Sequence, residues 1–317
     1  MTSEPLELGD VLDGRAPRAR RGVAHATLSA PAVRAGRRRS GAADVLEGTW
    51  WAVSAGAARR SGARRALATA VPPLVAALLA LLVWEAWVRW RDIAAYLVPA
   101  PSAVLATLAD DPGRFAFAAR TTLVEALAGL AVGAGTAFAL AALMAHSRPL
   151  ERALYPLALL VKVTPVIAVA PLFVIWFGFG IWPKVLIAAL ITFFPMLVNA
   201  VTGLRDVDPA AHEFLRAMRA SRLQVFWRLR LPASLPYLFA ALRISVPLSL
   251  IGAVVAEWMS GDTGIGQVLL IANGDFDTAA LFAAVFTLAL IAVALTGALA
   301  LAEHRLLFWH DTTRDRR

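Results

Sequence analysis

Val185-Leu-Ile-Ala-Ala-Leu-Ile-Thr-Phe-Phe-Pro-Met-Leu-Val-Asn-Ala-Val-Thr-Gly-Leu204 runs for 20 residues without an aspartate, glutamate, lysine or arginine. A helix needs roughly 20 predominantly apolar residues to cross about 30 Å of hydrocarbon, and this stretch meets that need. Four more stretches are equally free of those charges: 66–84 (19 residues), 126–145 (20), 163–183 (21) and 278–302 (25). Charged residues make up 17% of the 317-residue chain, against about 25% in an ordinary soluble domain. Mean hydropathy is +0.65. Five such runs exclude a soluble enzyme. They predict an all-α integral membrane protein, because a helix satisfies its own backbone polar groups in lipid.

The chain has no cysteine, which excludes a disulfide framework, a thiolate nucleophile and a Cys-ligated zinc site. Lysine occurs only at Lys162 and Lys184, and neither follows a glycine. No phosphate-binding G-x-x-x-x-G-K-[ST] loop is therefore present, and ATP hydrolysis is not expected on this polypeptide. The five histidines, His25, His146, His212, His304 and His310, form no H-E-x-x-H pair. Neither a catalytic residue nor a cofactor or metal site is expected.

Extending the five runs to their nearest breakers, and adding one weaker apolar stretch, gives six spans: TM1 68–89, TM2 122–145, TM3 154–179, TM4 182–204, TM5 238–259 and TM6 279–303. Between TM1 and TM2, Leu-Val-Pro-Ala-Pro-Ser (97–102) leads into a short helical pattern, and Asp111-Pro112-Gly113 reads as a turn. TM5 has the weakest signal, since Arg243 and Glu257 enclose only 13 uncharged residues. Six spans put both termini on one side. With the N-terminus inside, 25 of the 31 basic residues fall on cytoplasmic segments; Arg89, Arg91, Arg114, Arg120 and Lys184 fall outside. Leaving out the N-terminal tail, the count is still 13 against 5. The positive-inside bias therefore orients both termini inward, in the plasma (inner) membrane.

Residues 1–65 differ from the membrane-spanning remainder, 66–317. They carry twelve arginines among Gly, Ala, Ser and Pro, too little apolar material to offset chain entropy, and so read as disordered. One reading is a nucleic-acid- or lipid-binding arm; the other is a cytoplasmic extension that fixes orientation, or a start codon placed too far upstream. A nucleic-acid partner leaves the most structured polar segment, 205–236, unexplained, and none is expected.

That segment separates TM4 from TM5. Asp208 followed by Pro209 is a helix start, a cap and then a proline at the first helical position. Phe214, Leu215 and Met218 then share a face, so the first element is a short amphipathic helix. A second begins near Ser221, carries Leu223, Phe226 and Trp227 among Arg222, Arg228 and Arg230, and is expected to end at Leu231-Pro232. Two short helices with apolar and basic faces suit a groove on a soluble partner, or alternatively the membrane surface.

Here the chain resembles a known family. Glu213, then Arg219 where a glycine is expected, then Leu229-Arg-Leu231-Pro232 follow the EAA-loop pattern of ABC importer permeases. Further matches are Pro99-Ala-Pro-Ser, Tyr155-Pro, Pro165 through Ala170-Pro-Leu-Phe, Trp176-Phe-Gly-Phe-Gly180, Phe194-Pro195, Gly252-Ala-Val-Val-Ala-Glu-Trp258 and Gly264-Ile-Gly266. The resemblance spans roughly 70–310. It is nearest the nitrate, sulfonate and taurine permeases, with those for pyrimidine precursors and riboflavin related. It implies the type I importer permease fold, a homodimer, cytoplasmic ATPase subunits that bind the ATP and magnesium, and an extracytoplasmic binding protein. By the same resemblance Glu213 pairs with a basic group in a cleft of the ATPase, with Phe214, Leu215, Met218, Arg219, Ala220, Ser221, Leu231 and Pro232 around it. Phe214 and Leu215 replace the family's two alanines. Arg219 in a left-handed turn would carry about 1–2 kcal/mol of strain.

Ionisable residues inside spans are candidates for the pathway. Lys162 lies about nine residues, ~13 Å, into TM3, followed by Thr164 and Pro165. It either lines the route or snorkels to the interface. Glu257 near the outer end of TM5 and Glu125 early in TM2 are candidates for an outer gate, with a shallow interfacial position as the alternative. Gly129, Gly133 and Gly135 read as helix-packing positions. Trp176, Trp182 and Trp258 fall near span ends, where aromatic belts sit. A stand-alone ion-coupled carrier is the alternative class, but it calls for inverted repeats and several buried acids; no repeat is evident.

Overall fold

A computed structural model describes residues 71–307. The extension 1–65 and the first residues expected in TM1 lie outside the described residues. The elements are α1 (Val71–Trp90), α2 (Pro101–Asp110), α3 (Pro112–His146), α4 (Arg148–Val163), α5 (Val166–Phe177), α6 (Ile181–Arg205), α7 (Pro209–Ala217), α8 (Arg222–Val225), α9 (Leu231–Ser260), α10 (Ile265–Gly274) and α11 (Thr278–Leu306). α8 joins α9 through a π turn, Phe226–Arg230. All the described regular structure is helical, as the sequence predicts. By length and composition α1, α3, α6, α11 and the continuous helix Arg222–Ser260 can each cross a membrane.

Small residues set the centre of the bundle. A Cβ on Gly129 would lie 2.4 Å from the Ala188 Cβ, and one on Gly133 would lie 2.3 Å from the Thr192 Oγ1. Residues four apart on α3 thus meet residues four apart on α6, so the two helices run parallel with their backbones in close approach. Gly252 of α9 also packs on Ala188, and Gly203 of α6 packs on Tyr237 of α9, so α9 runs antiparallel to α6. Gly135 has open space around it; its expected packing role is not borne out.

Because α3 and α6 are parallel, the chain between them must return the length of the bundle. It does so in two pieces. The expected TM3 is not one helix: α4 stops at Val163, Thr164 and Pro165 are extended, and α5 begins at Val166. Pro165 has no N–H to continue the ladder and restricts the residue before it to extended backbone.

The core divides along the bundle. Toward one end, Ala137, Ala141 and Met144 of α3 pack on Met196, Leu197, Ala200 and Leu204 of α6, with Ala241 of α9. Toward the other, Val104 of α2 and Phe115 of α3 pack on Ile265 of α10 and Ala283 of α11. We call these the α7 end and the α10 end. Asp111-Pro112-Gly113 is not a free turn: Asp111 accepts from the Arg114 N–H and caps α3, which starts ten residues before the expected TM2.

Candidate functional site

The segment between α6 and α9 folds much as its caps dictate. The Asp208 carboxylate accepts from the Ala210 N–H at 3.0 Å and Pro209 occupies the first turn of α7. α7 ends in a Schellman motif: the Ala220 N–H bonds the Leu215 carbonyl at 3.0 Å and the Arg219 N–H bonds the Arg216 carbonyl at 2.9 Å. This motif requires a left-handed residue at the position after the C-cap. That residue is Arg219, at φ +54°. The turn therefore sits at the arginine itself, with the conformation glycine adopts freely. Ser221 starts α8 with a full capping box, its side chain accepting from Gln224 N–H and the Gln224 side chain accepting from Ser221 N–H.

Leu231-Pro232 does not end the second helix as expected. The Leu231 N–H bonds the Phe226 carbonyl, five residues back, so the helix widens into a π turn and continues as α9. The cause is Pro232. It offers no N–H and its ring would press on the carbonyl four residues earlier; a widened turn accommodates both. The helix is thus continuous from Arg222 to Ser260.

The faces of α7 are divided. Phe214 is 65% exposed and Met218 67%; Glu213, Arg219 and Ser221 are also exposed, while Leu215 and Ala220 are half-buried against the body. At 100° per residue, His212 and Arg216 lie opposite Phe214 and Met218. Leu223 and Trp227 continue the exposed apolar surface onto α8 and the π turn. These exposed apolar side chains beside charged ones make the segment a candidate interaction site.

Lys162, Thr164 and Pro165 are exposed at the α4–α5 break, and the Lys162 Nζ lies 4.8 Å over the Phe194 ring, a cation–π distance. Trp176 and Trp182 are exposed, as belt positions require.

Glu257 and Glu125 are both buried within the protein, 0% and 3% exposed. Glu257 accepts from the Thr122 Oγ1 at 2.6 Å and from the Gly266 N–H, while Thr122 accepts from the Ile265 N–H. Gly264, at φ +112°, passes so close that any Cβ would strike the Glu257 carboxylate. Lys184, counted among the outside charges, is also buried, at 1% exposed. Its Nζ donates to Glu125 Oε1 at 2.9 Å and lies 2.6 Å from Asp262 Oδ1. Asp262 sits in the α9–α10 loop. Burial works against its charged form, but the Lys184 ammonium and the Thr263 N–H hold its pKa below the ordinary value. This network ties α3, α6, α9 and the loop at the α10 end. It is a structural clasp that composition and spacing did not reveal.

The family described as binding-protein-dependent transport system inner membrane component matches residues 129–307. A formylaminopyrimidine transport permease protein of Halalkalibacterium halodurans is 36% identical over 241 residues, 76% of this chain and 96% of the relative. A riboflavin transport system permease protein of Chloroflexus aurantiacus is 38% identical over 74% of this chain and 88% of its own. The taurine transport system permease protein of Escherichia coli is 30% identical over 73% of this chain and 86% of its own. With the exposed α7 face and the membrane-length helices, these matches identify the chain as belonging to the inner membrane components of binding-protein-dependent transport systems, the multi-pass permease subunits of ABC importers.

Proposed function

We propose that this permease subunit couples to a cytoplasmic ATPase through α7. Glu213 pairs with a basic group of the ATPase, and Phe214 and Met218 enter an apolar cleft beside it. The Schellman turn at Arg219, with Ala220 and Ser221, sets the angle to α8. Leu231 and Pro232, beyond the π turn, transmit the motion into α9. The observation that carries this reading is the solvent-facing apolar surface of α7 in a helix capped and terminated to stand on its own.

Two copies of the chain form the pathway, with six crossings each: α1, α3, α4–α5 together, α6, α9 and α11. The α7 end is cytoplasmic, in keeping with the arginine distribution, and ATP with its magnesium is bound on the ATPase. Lys162, Thr164 and Pro165 line the route where the broken α4–α5 crossing leaves backbone free to contact solute. An extracytoplasmic binding protein delivers a small organic solute at the α10 end. The higher identity to the formylaminopyrimidine and riboflavin permeases favours a heterocycle; the taurine and sulfonate relatives support an anionic alternative.

The test is capture of the ATPase encoded beside this permease, using detergent-solubilised wild type and Glu213→Ala. Recovery with the wild type and loss with the variant are expected. Recovery with neither would overturn the importer assignment and bring forward a stand-alone carrier.

A further inference from the structure

Two adjoining cavities lie between α7 and the body of the bundle. The first, about 390 Å³, is walled by His146, His212, Arg216, Arg222 and Arg230. The second, about 320 Å³, shares His212 and Arg230 and adds Arg148 and Arg205. Five arginines and two histidines thus face these spaces, and no carboxylate lines either.

The nearby acids are already engaged. Glu151 pairs with Arg205, Asp206 accepts from the Tyr237 hydroxyl, and Asp208 caps α7. Arg230 donates to the Ala145 carbonyl at 2.9 Å, which fixes its guanidinium at the end of α3. Arg148, Arg216 and Arg222 make no ion pair among the described residues. The His146 Nδ1 lies 2.7 Å from the Ala142 carbonyl. A carbonyl only accepts, so Nδ1 carries the proton and Nε2 of the neutral ring is an acceptor, suited to the hydroxyl of a hydrogen phosphate.

Crowded guanidinium groups repel unless an anion stands among them, and their planar forks match the oxygens of phosphate. His212 and Arg216 lie on the face of α7 opposite Phe214 and Met218 and line the cavities.

We infer that this basic cavity is a binding site for an oxyanion of the phosphate class, held by Arg216, Arg222 and Arg230 with His146 and His212. An anion seated there ties α7 and α8 to the end of α3 and steadies the coupling segment from behind. That consequence rests on the docking role proposed for α7; the binding itself does not. The phosphate belongs to a free anion or to a lipid headgroup.

The experiment is calorimetric titration of the full-length protein in a non-ionic detergent with inorganic phosphate, without ATPase, so that a failure of docking cannot mask the result. A second titration uses a soluble short-chain phosphatidylglycerol as competitor. Saturable phosphate binding is expected. It should weaken about tenfold in Arg216→Gln and again in Arg222→Gln, the scale of one charge-assisted hydrogen bond each. Arg152→Gln, on α4 outside the cavities, should leave it unchanged. Competition by the lipid assigns the site to a headgroup, and absence of competition assigns it to a soluble anion; both support the site. Should a glutamine variant fail to fold, Arg216→Lys keeps the charge but loses the fork, and is expected to bind measurably but more weakly. Absence of saturable binding with either probe, or equal affinity in wild type and a folded Arg216→Gln, would overturn the proposal.

Discussion

Replacing Lys184 with methionine isolates what the clasp at the α10 end contributes. The ammonium is 1% exposed, 2.9 Å from Glu125 and 2.6 Å from Asp262, and 3.3 Å from the Thr263 carbonyl. Methionine fills much of the volume but leaves Glu125, at 3% exposure, without its counter-charge. The second oxygen of Glu125 already lacks a hydrogen-bond partner among the described residues, so no reserve contact takes up the loss. Removing one member of a buried ion pair costs about 3–5 kcal/mol. At roughly 2–4 °C per kcal/mol for a body of this size, the midpoint should fall by about 6–20 °C. The assay is thermal unfolding of the detergent-solubilised protein followed by size-exclusion chromatography. Lys184→Met/Glu125→Gln should recover a substantial part of the loss, because the orphaned charge is gone. An unchanged midpoint in Lys184→Met, or a double variant worse than the single, would refute the reasoning.

Other outcomes follow from separate features. Gly133→Val should abolish recovery of folded protein, since its first carbon would sit 2.3 Å from Thr192 Oγ1 and 2.5 Å from the Ala189 carbonyl; Gly135→Ala, with open space around it, should raise stability by about 1 kcal/mol through helix propensity alone. Arg219→Gly should keep or improve ATP-driven transport by relieving about 1–2 kcal/mol of left-handed strain, and abolished transport with the ATPase still bound would show that the arginine side chain itself contacts the partner. The depressed Asp262 pKa predicts a stabilising contribution to the loop that is full above the ordinary carboxylate value. It is lost as pH falls through the lower folded value. Hydrogen-exchange protection of the loop amides at 261–264 should therefore fall as the wild type is acidified below about pH 4, and should already be low in Asp262→Asn.

The membrane-length helices were readable from charge-free runs because lipid imposes one simple demand, that backbone polar groups be satisfied within the segment. The cap Asp208 and the helix start near Ser221 were readable for a similarly local reason: a side-chain oxygen two or three residues from an orphan N–H. What was not readable depended on partners distant in the chain. Lys184 looked like an outside charge because nothing in its neighbourhood announces Glu125, 59 residues away, or Asp262, 78 residues on. The burial of Glu257 was not readable because α10, which folds over it, lies beyond the end of its own helix. Pro232 was read as a stop because proline usually is one; a π turn that keeps the helix going is visible only once the Phe226–Leu231 hydrogen bond is seen. The α4–α5 break has a sequence signal, Thr164-Pro165, but hydropathy averages across it.

The central claim is that the Phe214–Met218 face of α7 meets the ATPase while the His212–Arg216 face does not. The chain contains no cysteine, so each introduced thiol is unique. Met218→Cys and His212→Cys, labelled with a maleimide photocrosslinker in membranes that contain the ATPase, measure the contact directly. The account predicts an ATPase adduct from position 218 and none from position 212. An adduct from 212 with none from 218 would contradict it.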